Sequence, residues 1–298
     1  MSNYDVIVIG AGPAGYVSAI RAAQLNQKTA IVEKQWMGGV CLNVGCIPSK
    51  ALLKNAEVAH ILRKRGKEFG FTFENLNLDF GVAVKRSRRV SNRLTKGVGF
   101  LMKKNKIDVH MGEAKITARD TVSVADEAGN ILELKTKKIV VATGASAMVP
   151  PGWEIDGQRV VTYLEAILQE SLPNSAIIIG AGAIGVEFAT IWHSYGSDVT
   201  IVEMLPSLLP LEDEEVSTEI AKSFSKQGIN VLTGHRVESI KAAKDSVQVK
   251  VSSEDGEETI EAEQALVAIG FKPNSAGLGL EELGVAISEN GTIDIDDR

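Results

Sequence analysis

Two stretches of this sequence follow the same order. Tyr4-Asp5-Val6-Ile7-Val8-Ile9 runs directly into Gly10-Ala11-Gly12-Pro13-Ala14-Gly15, and Ala176-Ile177-Ile178-Ile179 runs directly into Gly180-Ala181-Gly182-Ala183-Ile184-Gly185. A β-branched run that feeds G-x-G-x-x-G and then a helix has a specific physical use. The first glycine turns the chain, the second admits a pyrophosphate, and the third packs helix on strand. Val17, Ile20, Arg21, Ala23 and Gln24 supply the helical spacing after the first motif. Each unit then closes with a second strand ending in a glutamate: Thr29-Ala30-Ile31-Val32 before Glu33, and Val199-Thr200-Ile201-Val202 before Glu203. A carboxylate at that position accepts hydrogen bonds from a ribose, so two complete units imply two dinucleotides. The second unit also carries a selectivity signal. Glu203 suits a free 2′-hydroxyl and repels a 2′-phosphate, and no arginine or lysine occurs between it and Lys222, which favours NAD over NADP.

The repeat predicts an α/β fold with two Rossmann-like dinucleotide-binding domains, and 298 residues suffice for two cores. Pro150-Pro151-Gly152 marks a boundary between them. A formal net charge of −6 argues against nucleic acid as a partner. No apolar run is long enough to span a membrane, and no export signal precedes residues 6 to 20, so a cytoplasmic location is expected.

Both cysteines of the chain, Cys41 and Cys46, fall within Gly38-Gly39-Val40-Cys41-Leu42-Asn43-Val44-Gly45-Cys46-Ile47-Pro48-Ser49-Lys50. Random placement would bring two cysteines this close about one time in thirty. A redox disulfide is the reading adopted. Zinc wants four Cys or His ligands, and the nearest histidine, His60, is single, so no metal is expected. Two free buried cysteines are the plainer alternative, although the glycines around both sulfurs indicate a tightly approached backbone. Residues five apart in a regular helix are too distant for an unstrained bridge, so the helix favoured by Ala51-Leu52-Leu53-Lys54 should begin irregularly, with Pro48 in its first turn.

From Leu53 to Lys106 the chain reads as mainly helical, with Val90, Leu94, Val98 and Leu101 on one face and Arg86, Arg88, Arg89, Arg93 and Lys96 on the solvated one. Short strands are expected at 107 to 116, 121 to 124, 131 to 134 and 138 to 144, and again within 229 to 269.

The cysteine segment resembles the active-site segment of the flavin disulfide reductases, and among them the dihydrolipoamide dehydrogenases; the resemblance extends from Tyr4 to Arg298. It implies FAD and NAD as cofactors. The implied domains are a FAD-binding domain at 1–146, an inserted NAD-binding domain at 147–270, and the start of a return segment at 271–298. In the implied roles Cys41 exchanges with a dithiol, Cys46 faces the flavin, and Lys50 pairs with Glu187 near it. Gly10, Gly12, Gly15, Glu33, Gly39, Lys50, Gly112, Thr143 and Gly144 are placed at the FAD site. Gly180, Gly182, Gly185, Glu203, Val237 and Gly270 are placed at the NAD site. The implied partners are a small dithiol or a lipoyl-bearing protein, of a 2-oxoacid dehydrogenase complex or the glycine cleavage system, and a second copy of the chain.

The family pattern continues past Arg298 with a Gly-Asp segment for the ribityl chain and an interface domain that supplies the dimer contact and a His/Glu acid and base. None of His60, His110, His193 or His235 sits in such a motif. The expectation is a chain truncated before that domain, with weakened flavin affinity and doubtful turnover of its own. Rivals are a non-catalytic nucleotide-binding relative and mercuric reductase; glutathione reductase fits less well, having arginines where Glu203 and its neighbours stand.

Overall fold

Each glycine motif builds a βαβ unit at the middle of its own sheet. The computed structural model describes residues 2–297. They divide into two compact units: the chain up to Cys46 with Val90–Ser146 and the chain from Phe271 onward, and Ile47–Arg89 with Ala147–Gly270.

In the first unit β1 (Ser2–Ile9) leads through the glycine loop into α1 (Pro13–Gln24) and returns as β2 (Thr29–Glu33). Next along the chain come α2 (Gly39–Asn43), α3 (Cys46–His60) and α4 (Phe80–Lys104), of which Ile47–Arg89 belong to the second unit, and the first unit then continues with β3 (Asp108–Met111), β4 (Glu113–Ala118), β5 (Thr121–Ala125) and β6 (Ile131–Val141). The sheet order is β3-β2-β1-β6-β5-β4, with β3, β2, β1 and β6 parallel and the β4-β5-β6 meander antiparallel. Ile7, Val8 and Ile31 are fully buried, as expected for parallel strands covered on both faces. Short strand β7 (Ala145–Ala147) follows.

The second unit repeats the plan. It contains β8 (Val160–Val161), α5 (Tyr163–Ala166), β9 (Ser175–Ile179), α6 (Ala183–Tyr195), β10 (Asp198–Glu203), α7 (Glu214–Gln227) and β11 (Asn230–Thr233). Strands β12 (Arg236–Ala242), β13 (Val247–Ser253) and β14 (Gly256–Ala262) form an antiparallel meander before β15 (Gln264–Val267). The parallel sheet runs β11-β10-β9-β15-β8. Val247, Val249 and Val251, at alternate positions of β13, pack with Ile177, Ile179, Val202 and Val267 of that sheet.

After β16 (Phe271–Pro273) the last residues pack on the first unit: Leu278 and Leu280 join its core, and the Ile116 N–H donates to Leu278 O at 2.8 Å. The α/β class with two Rossmann-like units is what the chain adopts.

Three local expectations need correction. Residues 131 to 141 form one strand, because Lys135 and Lys137 send their ammonium groups out to Asp120 and Asp5 while the backbone keeps pairing with β1 and β5. The helical stretch after α3 ends in a π turn (Ile61–Arg65) and a 3-10 turn (Gly66–Phe69), and residues 70 to 79 carry no helix. On α4 the buried stripe is Phe80, Val84, Ser87, Ser91, Val98 and Met102, whereas Leu94 and Leu101 are exposed.

Candidate active site

The first glycine loop is held from three directions. Gly15 packs α1 so closely on the loop that a Cβ would lie 1.8 Å from Gly10 O, which only hydrogen permits. Glu33 at the end of β2 is buried to 9% exposure and turns its carboxylate back: the Ala11 N–H donates to Oε2 at 2.7 Å, and the Gln35 and Trp36 N–H groups donate to Oε1. The Gly38 N–H donates to Ala11 O at 2.9 Å. Gly112 follows β3, and its N–H donates to the Glu33 carbonyl at 2.9 Å. Thr143 and Gly144 follow β6 in a turn organised by Asn274, whose Nδ2 donates to Thr143 O and whose N–H donates to Gly144 O.

The redox segment is built onto this loop. A Cβ on Gly39 would lie 2.5 Å from Gly12 Cα, so the start of α2 and the first glycine loop touch backbone to backbone. The chain breaks helix at Val44 and Gly45, between α2 and α3, and Cys41 and Cys46 form a disulfide with a Cα–Cα distance of 4.6 Å. The irregular helix start expected from the spacing is how the bridge becomes possible. Cys46 begins α3. Asn43, two residues after Cys41, donates its Nδ2 to Met37 O at 2.9 Å and Gly39 O at 2.8 Å, and Thr95 Oγ1 donates to Asn43 Oδ1 at 3.4 Å. Thiol titration under air should find almost no free thiol, and two after mild reduction; two without reductant would refute the bridge.

Lys50 lies one turn beyond Cys46 on α3 and meets Glu187 of α6, Nζ to Oε1 at 2.5 Å. With the lysine side chain 61% exposed, such a pair adds about 0–1 kcal/mol to stability, so its interest is positional.

The second glycine loop repeats the geometry of the first. A Cβ on Gly185 would lie 2.0 Å from Gly180 O, and Glu203, 8% exposed, accepts the Ala181 N–H on Oε2 at 2.7 Å and the Leu205 N–H on Oε1 at 2.8 Å. Val237 is partly buried against the second core at a register slip in β12. Gly270, beyond β15, has φ +134° and accepts the Met148 N–H. Neither α1 nor α6 has a side-chain cap or an acidic residue in its first turn, so no side chain competes with an anion there. The residues of the two loops thus fit a pyrophosphate each, and each loop is closed by a buried strand-end glutamate that accepts backbone N–H groups. Among the described residues no group of three or more His, Cys, Asp or Glu is placed to hold a metal, and no helix is long and apolar enough to cross a membrane.

The sequence reading passed over Asn274 and the accepting carbonyls of Ala11 and Ala181. A Pro-Asn step after a strand was the only trace of the first, and backbone acceptors leave none.

Residues 4–298 match the family described as pyridine nucleotide-disulphide oxidoreductase. The chain is 49% identical over 300 residues to dihydrolipoyl dehydrogenase of Mycobacterium leprae and 45% identical over 299 residues to that of Corynebacterium glutamicum. These alignments take in 100% and 99% of this chain but 64% and 63% of the relatives, so the chain spans under two thirds of their length. Among solved structures, LpdA from Mycobacterium tuberculosis superposes with a TM-score of 0.90 at 25% identity, covering 99% of this chain and 64% of that one. The Cu(II) complex of RclA from Escherichia coli, an HOCl-induced flavoprotein disulfide reductase, gives 0.85 at 31% identity, covering 99% and 63%.

Proposed function

The chain belongs to the pyridine nucleotide-disulphide oxidoreductase family, and from that premise we propose that it works as a dihydrolipoamide dehydrogenase, passing electrons from a dithiol through Cys41 and Cys46 to NAD. The observation that carries this reading is the disulfide seated on the first glycine loop through Gly39 and Gly12. The FAD-binding domain is drawn from residues 1–146, of which Ile47–Arg89 group with the second unit, with Gly10, Gly12, Gly15, Glu33, Gly39, Gly112, Thr143 and Gly144 as its contacts. Residues 147–270 form the NAD-binding domain, with Gly180, Gly182, Gly185, Glu203, Val237 and Gly270. Residues from 271 begin the return to the first domain.

Bound flavin supplies the two-electron carrier between the sulfurs and the nicotinamide. The protein's share begins at Cys41. One substrate thiolate attacks Cys41 Sγ, the Cys41–Cys46 bond breaks, and Cys46 departs as a thiolate. The second substrate thiolate attacks the substrate sulfur of the mixed disulfide, releasing Cys41 and an oxidised cyclic disulfide. Two electrons then reside on the cysteine pair. Lys50, held by Glu187, would offer a cation to stabilise negative charge on the reduced flavin. The substrate is a lipoyl group on a carrier protein or a small dithiol, encountered in the cytoplasm.

The test is anaerobic and stepwise. Flavin-reconstituted protein should take up two electrons from dihydrolipoamide, change its visible absorption, and return to the oxidised spectrum when NAD is added. An unchanged spectrum with dihydrolipoamide in a protein that binds flavin would overturn the reading.

A further inference from the structure

Three non-glycine residues among those described have positive φ: Asn26, Lys106 and Leu209. Asn26 and Lys106 each follow a helix and return their N–H to its last turn, Asn26 to Ala23 O and Lys106 to Lys103 O, where a left-handed residue is ordinary. Leu209, φ +47°, ends no helix. It lies between β10 and α7, beside Leu208, which is 1% exposed, and its N–H donates to Ala181 O at 2.9 Å. Its own carbonyl accepts from Ser217 Oγ at 3.2 Å, tying the same residue to α7.

The first unit contains the same device. There Ala11 gives its N–H to Glu33 and receives the N–H of Gly38, φ +89°, on its carbonyl. In the second unit Ala181 gives its N–H to Glu203 and receives the N–H of Leu209. In both, a strand-end glutamate and a left-handed residue shortly after it grip the alanine between the first two glycines. The peptide that follows each alanine is trans and planar, so its carbonyl and its N–H point in opposite directions. Fixing the Ala181 carbonyl on Leu209 therefore turns the Gly182 N–H away from that segment, at the open start of α6.

We propose that Leu209 is a positioning residue of the second dinucleotide site, which through its left-handed backbone orients the Ala181–Gly182 peptide so that the Gly182 N–H meets the pyrophosphate. This rests on residues 180–185 being the NAD site. The leucine side chain is not the active part; the backbone conformation is, and glycine adopts it without a Cβ penalty whereas a β-branched residue resists it.

The experiment compares wild type, Leu209→Gly and Leu209→Ile by NADH fluorescence titration, with bound-flavin content and far-UV circular dichroism as measures of the first site and the fold. Leu209→Ile should raise the NADH Kd at least tenfold with flavin content unchanged, while Leu209→Gly should stay within twofold of wild type and melt at a higher temperature. An isoleucine variant within threefold of wild type overturns the proposal, as does a glycine variant as weak as the isoleucine one. Amide exchange of the wild-type protein decides the matter should the isoleucine variant fail to fold: the Leu209 amide should be protected before nucleotide is added, and free exchange there overturns the clamp. A wild type that binds flavin but no NADH brings down the site reading along with the proposal, and is told apart from the other failures by that control.

Discussion

Cys41→Ser is expected to abolish the reduction of bound flavin by dihydrolipoamide that flavin-reconstituted wild type shows, because serine offers no sulfur to accept the attack or to hold the electron pair. The loss should not come from unfolding. Removing the bridge frees only a short loop, which chain-entropy arguments put at about 2 kcal/mol, and the reduced wild type carries the same loss while remaining competent. Flavin content should be retained, since Gly39 still packs on Gly12 and the Gly38 N–H still reaches Ala11 O. Thiol titration of the variant should find one free thiol without reductant, that of Cys46. Cys46→Ser should lose that reduction to the same extent, because the electrons then have no second sulfur. Flavin reduction in either variant within tenfold of wild type, measured with dihydrolipoamide at matched flavin content, would contradict the proposed route.

Glu203 gives the second large effect. NADH should bind more tightly than NADPH by about 2 to 4 kcal/mol, roughly 30- to 700-fold, through a hydroxyl hydrogen bond gained and like-charge repulsion avoided. The buried setting, 8% exposed with both oxygens engaged by backbone N–H groups, leaves the carboxylate no freedom to swing away from a phosphate. The substitution must therefore be chosen with care. Glu203→Ala orphans the Ala181 and Leu205 amides at about 1–3 kcal/mol each and weakens both nucleotides. Glu203→Gln keeps an acceptor for Ala181 and removes the charge, so the ratio of the two dissociation constants should fall by tenfold or more while NADH binding suffers less. A ratio unchanged in Glu203→Gln would mean that selectivity arises elsewhere.

Much of this architecture was legible because it is periodic. Strand, glycine loop, helix, strand and glutamate recur at fixed spacing, and each position has a steric or hydrogen-bonding reason that depends on residue type. The cysteine spacing likewise forced a helix break, found at Val44 and Gly45. Less legible were features decided by tertiary pairing. Lys135, Thr136 and Lys137 looked like an interruption between strands, yet β1 and β5 on either side supply partners for a continuous strand, and the lysine side chains escape at its surface. The apolar stripe of α4 was misplaced because Ser87 and Ser91, both fully buried, carry no hydrophobic signature. Leu209 was invisible for a related reason: nothing in a Leu-Leu-Pro run announces a left-handed backbone.

The contact of Gly39 with Gly12, together with the bond from Gly38 to Ala11, makes the nucleotide loop and the sulfur-bearing turn a single mechanical piece. Free energy applied to either end is felt at the other, and by reciprocity in equal measure. A nucleotide that tightens the loop narrows the positions open to Cys41; a redox state that loosens the turn weakens the nucleotide's hold. If the first glycine loop holds the flavin as proposed, flavin affinity should change when the Cys41–Cys46 bond is reduced, and equal affinities in the two states would show the two ends to be independent.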